Sequence, residues 1–324
     1  MKKKILALFA LTIILERNQS LKLPNELKGR YKRALVLGSG GVVGVGWHLA
    51  TLKRLVENKE VNLENIDLRI GTSAGSIAAL AIGSGISLDE ALQDLLDRHN
   101  PEHPAEKLFD LTPPPKLFNI SLGNIFNALF SLKSPRVGVF LSKLLTDGVS
   151  SLGNLESHID AMLNNDWPEK ETWAIAANMK TGRREILSRY SNVTPGYAIK
   201  ASAAVPALFK PVTFGKAKLV DGGILSATHV DLAFKARAKE IFLLTMSTGY
   251  VNPFKAKSLL GFINLLNQNI EEFYIQRHIL WAIFTNQKFV IYRPRPKERA
   301  IIDRNRLMDD SSLSELISVT VEKP

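Results

Sequence analysis

The stretch IDLRIGTSAGSIAALAIG, Ile66 to Gly83, decides how the rest of the chain is read. Ile66 to Ile70 predict a short strand, and Ser76 to Gly83 predict a helix built from small apolar residues. Between them stands Gly71-Thr72-Ser73-Ala74-Gly75, a Gly-x-Ser-x-Gly pattern. Between a strand and a helix, that pattern describes a nucleophile elbow. The turn is tight, so it lifts the Ser73 hydroxyl clear of the backbone, and glycines at 71 and 75 let neighbouring elements approach. The N-terminus of the following helix favours negative charge at the same place. Stripped of these flanks, the five residues read equally well as a small-residue turn.

Working outward, Ala34 to Leu37 predict another buried strand, followed by Gly38-Ser39-Gly40-Gly41-Val42-Val43-Gly44. Trp47, Leu49, Leu52, Leu55 and Val56 then recur at helical spacing. A glycine loop between strand and helix offers consecutive backbone N–H groups to an anion. A dinucleotide site would need Gly-x-Gly-x-x-Gly and an acid on a strand end about 20 residues on. Val43 breaks the first requirement, and Glu57 and Glu60 fall at a helix end. The Lys-Ser/Thr of a phosphate-binding loop is also absent. The loop suits an oxyanion hole better, with donors placed where a tetrahedral intermediate gathers charge.

A serine hydroxyl needs a base. Asp221-Gly222-Gly223 follows the apolar pair Leu219-Val220, which places a carboxylate at a strand end beside two glycines. His48, His99, His103, His158, His229 and His278 have no such setting, although His229 lies only eight residues after Asp221.

Further elements alternate. Leu88 to Leu96 predict a helix with Ser87 as N-cap and Glu90 three residues on. Trp173 to Met179 and Arg184 to Leu187 predict paired strands joined through Thr181-Gly182. Ala198 to Ala204 predict a helix ended before Pro206. Asp231 to Ala238 predict a helix, Ile241 to Met246 a strand, Ser258 to Ile283 a long helix and Phe289 to Tyr292 a last strand. Strands alternating with helices predict an α/β fold, with a mainly parallel central sheet and helices on both faces. Residues 101–150 differ: Pro113 to Pro115 break the chain and apolar residues then cluster, which predicts a partly helical insertion. That insertion reads either as an acyl-chain pocket or lid, or as a helix pair closing the core.

The net charge of +11 first suggests an acidic partner. Its distribution argues against nucleic acid, because residues 34–287 are nearly neutral and no nucleic-acid-binding module is recognisable. The excess sits in residues 1–33 and 288–306. In the second segment Arg293, Arg295, Lys297 and Arg299 read either as an anionic-lipid contact or as a solvated loop. With no cysteine in the chain, thiol nucleophiles, disulfides and thiolate metal sites are excluded. Lys2, Lys3 and Lys4 precede an apolar run from Ile5 to Leu15, too short in a helix to cross about 30 Å of hydrocarbon. Three readings of that run stay open: an export signal, a helix in the membrane interface, or a helix packed on the domain. The location, at a cytoplasmic membrane face or outside the cytoplasm, stays open with them.

Taken in order, Gly38 to Gly44, Gly71 to Gly75 and Asp221 to Gly223 resemble the patatin-like phospholipase family, in a bacterial subgroup with Trp47 after the glycine loop. Ala201-Ser-Ala-Ala-Val-Pro-Ala-Leu-Phe-Lys-Pro211 resembles the family's block before the aspartate. The likeness spans residues 33–293. It implies a three-layer α/β fold and a Ser–Asp dyad that requires no histidine. Carried over, Ser73 is the nucleophile, Asp221 the base, and N–H groups around Gly40, Gly41 and Val42 the oxyanion hole. Many members have Arg or Lys where Val43 stands, and Asn-x-Pro where Ala227-Thr228-His229 stand; these departures favour acyl-ester hydrolysis over recognition of a phosphate head group. The expected organisation is a basic and apolar segment at 1–32, a catalytic domain at 33–293 with the insertion near 101–150, and an extension at 294–324. Lipid or acyl ester is the expected partner, together with peripheral membrane contact; no cofactor, metal or nucleic acid is expected, and the oligomeric state is open. Two alternatives are carried: a hydrolase using His229 or His278 in a triad, and a catalytically decayed protein that binds lipid or a partner. Burial beside apolar neighbours is expected to raise the pKa of Asp221.

Overall fold

In the computed structural model, residues 31–97, 152–206, 208–252, 259–304 and 311–322 are described, together with Leu23 and Leu27. The insertion near 101–150, His99, His103 and the run Ile5 to Leu15 lie outside these residues.

The described strands are β1 (Arg33–Leu37), β2 (Leu68–Thr72), β3 (Glu171–Asn178), β4 (Arg183–Leu187), β5 (Val212–Phe214), β6 (Ala217–Asp221), β7 (Glu240–Leu244) and β8 (Lys288–Tyr292). They form one sheet in the order β5-β6-β3-β2-β1-β7-β8, with β4 also paired to β3. The run β3-β2-β1-β7-β8 is parallel throughout. β4 and β6 join β3 antiparallel, and β5 joins β6 antiparallel. The expected mainly parallel sheet is therefore present, with an antiparallel edge.

The described helices are α1 (Gly41–Glu57), α2 (Ala74–Gly83), α3 (Leu88–Asp97), α4 (Gly153–Met162), α5 (Pro195–Ser202), α6 (Asp231–Lys235), α7 (Leu259–Thr285), α8 (Pro296–Arg304) and α9 (Leu313–Val321). They cover both faces because the parallel strands are apolar on both. Leu35 and Leu37 of β1 pack with α1, α2, α3 and α9 on one side. Ala34 and Val36 of the same strand pack with α6 and α7 on the other, beside Leu68, Ile70, Trp173 and Ile175. Leu23 and Leu27 are buried in that second cluster.

Several boundaries move. The β2 strand runs on through Gly71 and Thr72, and α2 begins at Ala74, so Ser73 alone makes the turn. Helix α5 starts at Pro195, three residues ahead of the expected Ala198. Thr194 caps it by accepting the Tyr197 N–H at 3.2 Å, and proline fits the first helical position. The Ser87–Glu90 capping box is present in both directions, at 2.8 and 3.1 Å.

Two of the four cations in the basic segment after β8 are engaged within the chain. Arg293 bonds both carboxylate oxygens of buried Glu272, at 2.7 and 3.0 Å, and the Ser247 carbonyl at 2.9 Å. Arg295 bonds Glu298 and the Val319 and Thr320 carbonyls at the end of α9. Glu298 in turn accepts the Trp47 indole N–H at 3.0 Å. These two arginines tie α8 and α9 to the body instead of facing outward. Among the described residues, no helix is long and apolar enough to cross a membrane.

Candidate active site

β2 ends at Thr72, and Ser73 takes φ 54°, ψ −120° before α2 begins. That is a left-handed backbone for a residue with a Cβ, and such strain concentrates where a side chain must be presented at a sharp angle. Two hydrogen bonds hold the turn from below. The Ser73 N–H donates to the Ser202 hydroxyl at 3.0 Å, and that hydroxyl donates to the Ile175 carbonyl at 2.7 Å. Gly75 packs against the end of β1, where a Cβ would stand 2.0 Å from the Leu37 carbonyl oxygen. Gly71 lies within the sheet, opposite Leu37 on one side and Ala174 on the other.

Asp221 reaches the same place from the other direction. β6 runs antiparallel to β3 and occupies the edge of β3 that β2 has just left. Thr72 is opposite Ile175, and Asp221 is opposite the next residue, Ala176. The end of β6 thus abuts the end of β2. The Asp221 N–H donates to the Ala204 carbonyl at 2.9 Å, so the block around Ser202 and Ala204 anchors both strand ends. The Gly223 N–H donates to the Asp221 carboxylate at 2.7 Å. Gly222 is buried, and its carbonyl accepts from the His229 ring at 3.1 Å.

The Ser73 side chain lies beside the Asp221 carboxyl and favours its charged form. Both residues are 4% exposed. Burial pushes the Asp221 carboxyl up to about 6, although the Ser73 side chain and the Gly223 N–H pull it down. Desolvation dominates because a carboxylate out of water loses more than these two neighbours return.

The glycine loop touches both partners. The Gly38 N–H donates to Leu244 and the Ser39 N–H to Ala227, so the loop is pinned between β7 and the segment after Asp221. Gly40 caps α1, and Gly41 has φ 61°, a conformation glycine adopts without penalty. The first intrahelical bond runs from Gly44 N–H to the Gly40 carbonyl at 2.9 Å. The N–H groups of Gly41, Val42 and Val43 therefore open at the helix end, as first-turn groups do. This turn lies beside the elbow: a Cβ on Gly44 would be 3.2 Å from the Ala74 Cβ. Two helix N-termini, those of α1 and α2, converge on one spot, a setting that favours a developing negative charge.

Two residues matter here that the sequence did not single out. Ser202 lay within a quoted block without a role. His48 is fully buried, and its Nε2–H donates to the Gly38 carbonyl at 2.7 Å. Burial holds its ring down to about 4, hence neutral. His229, carried as a triad member, is fully buried with Nε2 on the Gly222 carbonyl and Nδ1 3.4 Å from Arg184. His278, the other alternative, donates through Nδ1 to the Tyr274 carbonyl at 2.7 Å within α7. Both rings thus bond groups other than Ser73.

A model of the family described as patatin-like phospholipase matches residues 35–234, which contain the loop, the elbow and Asp221. Among solved structures the chain is similar to VipD from Legionella pneumophila, with 16% identity and a TM-score of 0.41, over 90% of this chain and 67% of that one. It is also similar to human GIVD cytosolic phospholipase A2, with 10% identity and a TM-score of 0.35, over 90% of this chain and 50% of that one. Comparison with the curated proteins finds no match.

Proposed function

The chain belongs to the patatin-like phospholipase family, and from that premise we propose that it hydrolyses acyl esters of lipids through a Ser73–Asp221 dyad. The observation that carries the reading is the meeting of two strand ends on β3, which brings Ser73, alone on a strained turn, beside a buried carboxyl that burial raises to about 6. A carboxylate at its ordinary value near 3.9 would be a weak base for a hydroxyl.

In this reading, Asp221 takes the Ser73 proton as the Oγ attacks the ester carbonyl carbon. The carbonyl π electrons move to oxygen, and the N–H groups around Gly40, Gly41 and Val42 stabilise that oxyanion. The C–O bond to the alcohol then breaks, and the alcohol leaves with the proton from Asp221. A water attacks the acyl-Ser73 ester as Asp221 takes one of its protons. Collapse releases the carboxylic acid and returns the proton to Ser73. Removing one oxyanion donor typically costs ~10²–10³ in turnover.

Family membership supports a lipid as the substrate. Contact with a membrane surface belongs to the same proposal, supported by nine Lys or Arg in residues 1–33 beside the apolar run Ile5 to Leu15. The test is a panel of esters and phospholipids, with a serine-directed fluorophosphonate label, on wild type and Ser73→Ala. Wild type is expected to turn over esters and take the label, and the variant to do neither. Hydrolysis retained by Ser73→Ala would defeat the nucleophile assignment. A wild type that takes no label would favour the decayed, lipid-binding alternative.

A further inference from the structure

The far end of α7 carries an apolar tip. Leu280, Trp281, Ile283 and Phe284 are 59, 51, 71 and 87% exposed. Positions three and four apart on a helix are neighbours, so these four side chains make one patch. His278 and Ala282, on the inner face of the same turns, are buried, so the helix packs on the sheet without the outer four. A single apolar side chain in water is ordinary, whereas a cluster of large ones marks a contact surface.

The tip stands among cations. The turn after α7 is bonded to the segment before β7: the Gln287 amide donates to the Ala238 carbonyl at 2.6 Å and the Lys288 N–H to the Lys239 carbonyl at 2.8 Å. The Lys239 N–H in turn donates to the Lys32 carbonyl at 3.1 Å. Lys32, Lys239 and Lys288 thus line up across the starts of β1, β7 and β8, with Arg237 two residues before Lys239, and all four are exposed. The carboxyls at these strand starts are engaged. Glu240 is held by Arg33 and Lys288, and Asp67 accepts the Lys32 and Arg33 N–H groups at 2.8 and 2.9 Å. The elbow is at the opposite end of the sheet. Ser73 follows the last residue of β2, and a five-residue strand rises about 16 Å.

We propose that the tip of α7 docks on an anionic lipid surface, with Trp281, Ile283 and Phe284 entering the interface and Lys32, Arg237, Lys239 and Lys288 meeting the phosphates. Tryptophan favours that depth, and an apolar face bordered by cations binds in the plane of such an interface. The basic residues 1–33 join the body at this same edge, because β1 begins at Arg33, so both meet one surface. A second copy of the chain fits less well, since like-charged rims would face each other. The proposal gives the membrane contact of the proposed function a definite surface, and it does not depend on Ser73.

The test is cosedimentation of the full chain with vesicles of phosphatidylcholine that hold about one third phosphatidylglycerol, whose phosphates carry the negative charge. Wild type is expected to bind them, and to bind pure phosphatidylcholine at least tenfold more weakly. Raising salt from about 0.1 M to about 1 M, which cuts the Debye length from ~10 to ~3 Å, should weaken the anionic binding by a similar factor. Brominated lipid should quench Trp281 emission, and Trp281→Phe should abolish that quenching. Phe284→Asp, and Arg237→Gln combined with Lys239→Gln, should each weaken binding at least tenfold. These side chains are exposed, so both variants should melt as wild type does. Ser73→Ala should bind as wild type does. A loss below tenfold in either variant overturns the proposal. Binding that survives in Phe284→Asp with Trp281 unquenched would place the contact on residues 1–33, which overturns the tip and leaves the membrane reading standing. No binding by wild type defeats both. A dimer that Phe284→Asp converts to a monomer, without vesicle binding, would assign the patch to a second copy and overturns the proposal as well.

Discussion

Ser73 and Asp221 stand at the facing ends of two strands that share one edge of β3. Thr72 is opposite Ile175 and Asp221 opposite Ala176, so consecutive residues of a single strand set their separation. The distance between the proposed nucleophile and base therefore rests on backbone pairing, which is stiffer than loop packing. Ser202 adds a side-chain tie across the same joint.

The pH response of Asp221 has a definite sign. Its folded value is raised from 3.8 to about 6, so between those values the folded state binds more protons than the unfolded one. Its effect on stability is therefore favourable at low pH and is lost as pH rises through 6. The full shift corresponds to about 3 kcal/mol at pH 8. Asp221→Asn should accordingly melt higher than wild type at pH 8, and the gap should close as pH falls towards 4. Activity should run the other way: kcat/KM of wild type should rise with a midpoint near 6, and the variant should be inactive. A profile that is flat from pH 5 to 8 would contradict Asp221 as the base.

Strain at Ser73 predicts a trade between stability and activity. A non-glycine residue at φ 54°, ψ −120° costs about 1–3 kcal/mol. Ser73→Gly relieves this but gives the unfolded chain more freedom, a penalty of about 1 kcal/mol. The net expectation is a gain of about 1 kcal/mol with complete loss of ester hydrolysis. Ser73→Ala keeps the Cβ and the strain, so it is the reference against which relief of the strain is read. Thermal melts of the two variants side by side decide the point. Ser73→Gly melting about 1 kcal/mol below Ser73→Ala would mean the elbow is not strained.

Ser202 is expected to position the elbow. Ser202→Ala leaves the Ser73 N–H without its partner and takes one donor from the Ile175 carbonyl, which should cost about 1–3 kcal/mol. If that tie orients Ser73, kcat should fall by about tenfold with KM nearly unchanged, because the hydroxyl is misdirected and the substrate pocket is intact. A variant that is less stable but turns over at the wild-type rate would reduce Ser202 to a packing residue.

The parts of this architecture that were legible in the sequence are those made by contiguous residues. The elbow, the glycine loop and Asp221-Gly222-Gly223 each carry their geometry in a few neighbouring positions, and so does the Ser87–Glu90 box. What was hidden lies between distant positions. That β6 meets β2 end to end on β3 depends on register, and β5 has only three residues, Val212 to Phe214, too few for a period to show. Arg293 and Arg295 look like solvated charge in one dimension, yet find Glu272, Glu298 and the α9 carbonyls. Trp47 meets Glu298 across 251 positions, a pairing no local pattern carries. Thr194-Pro195 is itself a legible helix start, a capping residue followed by proline at the first helical position.

The ion pair beneath the Asp221 loop gives the last test. The Arg184 side chain is 1% exposed and grips both oxygens of Asp231, whose carboxyl it and Lys235 hold well below the usual range against the opposing pull of burial. Asp231→Asn leaves a guanidinium buried beside neutral His229, and removing one partner of such a pair typically costs about 3–5 kcal/mol. Arg184→Met leaves Asp231 with Lys235, which is partly exposed, so its cost should be smaller. The double variant should recover much of the loss, because no unpaired buried charge remains and Lys235 is partly exposed. The pH sign is opposite to that of Asp221: a depressed carboxyl contributes stability above its unfolded value near 4, and loses it as pH falls further. Denaturation of the four proteins at pH 7 and pH 3 separates these expectations. Additive single losses at pH 7 would show that the pair does not act as a unit.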